Sequence, residues 1–226
     1  MLKCFFFAPL VTAKKIVSGM RVAGIDPGVS NFGIVVCDIA DPDPRLRVSQ
    51  RIAVLRAGNV SLRSSCGCMH DRVPLAHCSL GHTNDLPSRI AHVAQDFELD
   101  KCDRVVVERQ PPQSAGYVVE QILRMLLGNL TFVEPRQIHK TYGALRGDSY
   151  DERKRKCEAY TSAFFAGRSE FDLAVRRHDM ADAMAAVVCY AHRSAMRPPT
   201  AAPLPRVSFD KSADFEAFIG QFRSDI

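Results

Sequence analysis

Residues 21–40, RVAGIDPGVSNFGIVVCDIA, form two apolar runs rich in β-branched residues, with one carboxylate set between them. Residues 21–25 and 32–39 read as neighbouring strands, and the Pro27–Gly28 step just after Asp26 supplies a tight connection. Such a pair commits the chain to a sheet whose apolar strands run straight into Asp26. A lone carboxylate in that setting is costly to bury unless a positive charge meets it. What Asp26 faces is the question the remaining sequence has to answer.

Downstream, the segment RLRVSQRIAVLRAGN (45–59) alternates roughly and predicts a third, antiparallel strand. In LPSRIAHVAQDFE (86–98), Ile90, Val93, Ala94 and Phe97 share one face of a helix. DRVVVERQ (103–110) is a short apolar run ending in charge, as a buried central strand would be. A strongly apolar helix over 116–130 with Gly128 as its stop, a short strand at 131–135, a basic linker, a helix at about 151–166 and an Ala-rich helix at 178–193 follow. Strands first, then strands alternating with helices, indicate an α/β layer fold with a mixed sheet. The expected organisation is an N-terminal extension (1–19), one folded domain (20–195) with a Cys/His-rich insertion (61–83), and a linker with a C-terminal amphipathic helix (196–226). In that last helix Phe215, Phe218, Ile219 and Phe222 make a docking stripe.

The 226 residues suffice for one core, and 46% hydrophobic with 24% charged residues reads as soluble and globular. Thirty basic against 25 acidic residues permit nucleic-acid binding without requiring it. No apolar run reaches the roughly 18 residues of a membrane span, so no membrane partner is expected. A chain of this length needs no disulfide framework for its eight cysteines, and Cys37, Cys157 and Cys189 fall in apolar patterns as core residues. The expectation is a reducing, intracellular compartment, without organelle targeting by residues 1–19.

Three further acids resemble Asp26 in context. Glu108 closes the VVVE run, and Asp179 and Asp182, three apart near the start of the last helix, share one face. Singly, each has a plain reading: Asp179 and Asp182 as acids complementing a helix dipole, Glu108 as the partner of Arg109 or Arg104. Together they point to one shared partner of high positive charge. A hard divalent ion such as Mg²⁺ takes oxygen ligands and keeps some waters. Two such ions, roughly 4 Å apart, activate a water and stabilise the leaving oxygen of a phosphodiester.

The segments GIDPGVSNFGIVV, VVVERQ and HDMADAMA resemble the three signature segments of the RuvC-like Holliday junction resolvases of the ribonuclease-H-like superfamily. The D-P-G-x-x-N-x-G form and the ERQ resemble the poxvirus and large-DNA-virus branch, with mitochondrial fungal resolvases more distant; the similarity spans residues 20–195. The resemblance implies a ribonuclease-H-like mixed five-stranded sheet flanked by helices, a homodimer, and symmetric Mg²⁺-dependent cutting of four-way and branched DNA in recombination, repair and the processing of replicated viral DNA, in a cytoplasmic viral factory or the nucleus. Two Mg²⁺ ions, for which Mn²⁺ can substitute, would be held by Asp26, Glu108, Asp179 and Asp182, with Asp26 bridging both and a water attacking the phosphorus in line. By the same resemblance the helix at 116–128 would be the dimer helix; ordinary core packing is the alternative. His178 would either assist proton transfer or cap its helix.

The run PRQIHKTYGALRGDSYDERKRK (135–156) lies between two of the acidic segments and offers a phosphate-binding surface through Arg136, Lys140, Lys154, Arg155 and Lys156. Residues 66–82, CGCMHDRVPLAHCSLGH, depart from the resolvase pattern. Cys66, Cys68, His77 and Cys78 could fix a structural Zn²⁺, against the plain reading of a surface loop. The other functional readings are a less selective flap, junction or RNA–DNA hybrid nuclease on the same fold, an actin-like ATPase, and a non-catalytic zinc-containing DNA adaptor.

Overall fold

The computed structural model describes residues 19–43, 45–63 and 85–195. Strand β1 (Gly19–Pro27) pairs antiparallel with β2 (Phe32–Ala40) along its whole length, from Gly19 opposite Ala40 to Pro27 opposite Phe32. β2 pairs antiparallel with β3 (Ile52–Val60), with a register shift between Val36 and Cys37. On the other side of β1 lie two parallel strands, β4 (Arg104–Glu108) and then β5 (Leu130–Val133). The result is a mixed five-stranded sheet in the order β3-β2-β1-β4-β5, the α/β sheet expected from the sequence.

Helices cover both faces. The short α1 (Val48–Arg51) precedes β3, α2 (Leu86–Asp96) precedes β4, and α3 (Ala115–Leu126) connects β4 to β5. The described residues end with α4 (Pro135–Thr141), α5 (Tyr150–Thr161), α6 (Ser169–Asp172) and α7 (Arg177–Ala195). Strand alternation sorts the core in two. Val22, Val35 and Val106 pack with Met180 and Met184 of α7 and Cys157 of α5. Ala23, Ile25, Val105 and Val107 pack with Ile90 of α2 and Val119 and Leu123 of α3.

α7 lies on the sheet with almost nothing between the two backbones. A Cβ built on Gly24 of β1 would sit 2.1 Å from the Ala183 carbonyl oxygen, and one on Gly33 of β2 2.2 Å from that of Asp179. Alanines at 181, 183, 185, 186 and 191 are buried along the helix. The Ala-rich composition is therefore a close-packing device, and it lays the first turns of α7 over the β1–β2 turn.

Three elements differ from expectation. The stretch read as a strand from residue 45 begins as one as late as Ile52, because 48–51 coil into α1 and bury Arg51, whose guanidinium donates to the Ala40 carbonyl at 2.8 Å and 3.2 Å. The stretch read as a basic linker contains α4, opened by Pro135 and anchored by buried Ile138. The helix read to residue 166 stops at Thr161 and tightens into a 3-10 turn over Ser162–Phe165. Cys37, Cys102, Cys157 and Cys189 are buried and unpaired with one another. Among the described residues no helix is long and apolar enough to cross a membrane. The extension through residue 18, nearly all of the Cys/His-rich insertion and the C-terminal stripe lie outside the described residues.

Gly33→Ala must push α7 away from β2 at Asp179. The expected loss is about 1–3 kcal/mol of unfolding free energy in urea titrations. Gly147→Ala, whose new methyl would meet open space, should show no such loss.

Candidate active site

Ile25 of β1 stands opposite Val107 of β4, so the next residues, Asp26 and Glu108, stand side by side at the carboxyl ends of parallel strands. α7 crosses this end and adds Asp179 and Asp182, which are only 3% and 7% exposed. Four acids from three elements thus lie at the end where apolar strands stop, near enough for Glu108, Asp182 and Asp179 all to act on Asp26.

Each α7 carboxylate is held by polar partners. Asp179 Oδ2 accepts from Asn59 Nδ2 at 2.6 Å and from Arg176 Nε at 2.9 Å. Asp182 Oδ2 is paired with the Lys154 ammonium of α5. Asp26 and Glu108 have no such partner among the described residues. Burial first, and then repulsion from Glu108 and Asp182, push the Asp26 carboxyl well above the usual range. Burial and Asp182 push Glu108 up to about 7, with Lys154 opposing. Burial would lower the Lys154 ammonium, but Asp182, joined by Asp26, outweighs it and leaves the value raised.

Two adjoining hollows of about 290 and 200 Å³ share Asp26, Gln110, Tyr150 and Lys154. The first is bounded also by Asn31 and Asp179, the second by Glu108, Asp182 and His139. Burial, and then Arg153, hold His139 below the ordinary imidazole value.

The donor set fits a hard divalent ion: all oxygen, concentrated negative charge, and two carboxylates without hydrogen-bond donors. Among the described residues no three Cys, His, Asp or Glu groups are gathered round a single point. Lys154 and Arg176 stand on two of the four acids and balance part of their charge.

No family model and no curated protein matches the chain. Solved structures do. The fowlpox virus resolvase in complex with its substrate Holliday junction DNA superposes with a TM-score of 0.52 at 14% identity, over 77% of this chain and 98% of the resolvase. The chain has the fold of the fowlpox virus resolvase. A fowlpox virus Holliday junction resolvase structure gives 0.51 at 13% identity over 77% and 99%, and Thermus thermophilus RuvC 0.49 at 20% identity over 82% and 100%.

Within this resolvase fold the other candidate residues separate. Arg136 and Lys140 lie one turn apart on α4, both exposed, and Arg155 is exposed on α5. Lys154 belongs to the carboxylate cluster, whereas Lys156 is bound to Asp148 at 2.7 Å. Arg109 pairs with Glu134 at 3.0 Å and approaches Glu120 at 3.9 Å, and Arg104 donates to the Asp103 carbonyl, so neither is the partner of Glu108. His178 lies 3.3 Å from Asp179 and 3.8 Å from Glu158. Cys66, Cys68, His77 and Cys78 lie outside the described residues.

Sequence reasoning missed Asn59, Gln110, Tyr150 and Arg176 as members of the site. Gln110 is placed by a buried carboxylate: its backbone N–H donates to Glu120 of α3 at 2.9 Å, and Arg124 donates to the same group at 2.9 Å. Arg176 had a local signal, standing three residues before Asp179. Asn59 had none, lying 120 residues from the acid it holds.

A carboxyl whose value rises on folding holds its proton more tightly folded than unfolded, so its contribution to stability is present at low pH and lost as the pH climbs through the window. For Glu108 that window runs from its ordinary 4.5 to about 7, and Asp26 moves the same way. In EDTA, the melting temperature should fall across this window, and Glu108→Gln should remove part of the fall.

Proposed function

We propose that this chain is a structure-selective endonuclease that resolves four-way DNA junctions by paired, symmetric, divalent-metal-dependent phosphodiester hydrolysis. The observation that carries the reading is the placement of Asp26, Glu108, Asp179 and Asp182 at one end of the sheet, on a fold shared with a resolvase solved on Holliday junction DNA. The biological setting that fits it is DNA recombination, repair and the processing of replicated viral concatemers.

Asp26, Glu108, Asp179 and Asp182 are the groups that would hold two Mg²⁺ ions, or Mn²⁺ in their place. The ions would activate a water and stabilise the leaving oxygen. The chain's own residues do the positioning. Asn59 and Arg176 both hold Asp179 Oδ2, and His178 stands 3.3 Å from Oδ1, which together set the orientation of the carboxylate. Lys154 lines the hollow beside its partner Asp182, where its ammonium can meet a phosphate. Arg136, Lys140 and Arg155 contribute sequence-independent phosphate contacts that weaken with salt.

α3 supports a dimer. Val119, Leu123 and Leu126 fill the core, while Val118 and Met125 stand exposed on the other side of the same helix. A helix apolar on both sides has a second surface to cover. A second copy packed there about a two-fold axis would present two identical sites to a junction of matching symmetry.

The test compares wild type with Asp26→Asn on synthetic four-way junctions, flaps and RNA–DNA hybrids in Mg²⁺. Wild type should give symmetric nicks confined to junctions, and the variant should bind junctions as well as wild type but leave them uncut. Equal cutting by both proteins overturns the site. Hybrid cleavage as fast as junction cleavage would favour a ribonuclease-H-like activity instead.

A further inference from the structure

The turn joining α4 to α5 is built to hold a fixed shape on an exposed surface. Gly143 takes a left-handed φ of 73°, and the Ala144 N–H closes back on the His139 carbonyl at 2.9 Å. The Asp148 carboxylate accepts the Leu145 N–H at 2.7 Å and the Lys156 ammonium at 2.7 Å, while its carbonyl accepts Arg153 at 2.9 Å. Ser149 and Glu152 then close a capping box that starts α5.

What this rigid turn displays is unusual for a solvated loop. Leu145 is 67% exposed, Arg146 is exposed beside it, and Tyr150 is 58% exposed. Tyr150 also borders both catalytic hollows, with the Lys154 ammonium 5.3 Å from its ring centroid. A large aromatic surface therefore stands open at the rim of the carboxylate cluster, among cations suited to a phosphate backbone.

We propose that Tyr150 is the residue that distinguishes branched from continuous DNA, by stacking its ring on a nucleobase left unstacked at the branch point. The inference rests on the junction-nuclease reading above and names the contact that gives it selectivity. Within continuous duplex both faces of every base are covered by neighbours, so Tyr150 finds no partner there. At a branch the strands part and a base face is freed, next to the phosphate that Lys154 and the acids receive. Stacking tolerates any base, which suits recognition of shape over sequence.

The experiment measures binding in EDTA to a four-way junction carrying 2-aminopurine at the branch, and to a linear duplex of the same length. Wild type should prefer the junction and quench the 2-aminopurine, and Tyr150→Phe should retain both properties. Tyr150→Ala should lose the quenching and reduce the junction-over-duplex ratio by about 5- to 150-fold, the range expected for one base–aromatic stack, with duplex affinity unchanged. Tyr150→Ala that keeps wild-type quenching and preference overturns the assignment while leaving the nuclease reading intact, as does an equal loss of junction and duplex binding. A wild type that binds junction no better than duplex overturns the nuclease reading, and this inference with it.

Discussion

Everything at the site depends on the backbone of α7 touching the backbone of the sheet. Gly24 and Gly33 leave no side chain between them, and the small buried alanines of α7 add no thickness of their own. A methyl group at either glycine would lift the helix and carry Asp179 and Asp182 away from Asp26. Close packing of this kind is stiff, because interiors are dense and small gaps forfeit contact energy. The geometry of the carboxylates is therefore set by excluded volume before any charge acts.

Charge then acts within that frame. The parallel pairing of β1 and β4 brings Asp26 beside Glu108, and burial makes their mutual repulsion stronger than it would be in water. The surrounding groups divide into those that relieve this repulsion and those that orient. Lys154 relieves it at Asp182, Asn59 and Arg176 orient Asp179, and Glu120 fixes the strand exit through the Gln110 amide. The parallel strands β1 and β4 bring two of the acids to their carboxyl ends, where open α/β sheets place their clefts, and β3 of the antiparallel half adds Asn59.

Much of this was readable in advance, for a local reason. A carboxylate at the end of an apolar strand is an anomaly visible within a few residues, and Asp26 and Glu108 are both of that kind. Asp179 and Asp182 were readable from their spacing on one helix. What escaped is set by rotation and distance. Lys154 and Lys156 lie in one basic run, yet two positions on a helix differ by about 200°, so one reaches Asp182 and the other Asp148. α4 was hidden because its polar surface outweighs its single buried anchor, Ile138. Asn59 meets Asp179 through tertiary packing alone, and Arg51 turned a strand reading into a helical turn by reaching back to Ala40.

The ion pairs of Lys154 and Arg176 bear on the order in which such a site is assembled. Two of the four acids already have a positive neighbour supplied by the chain itself, and burial and mutual repulsion raise the proton affinity of the other two. A cluster arranged this way can close around its own counter-charges while the chain folds. A divalent ion held by these acids would enter a cluster whose charge the chain has already balanced in part, with Lys154 and Arg176 in place beside it.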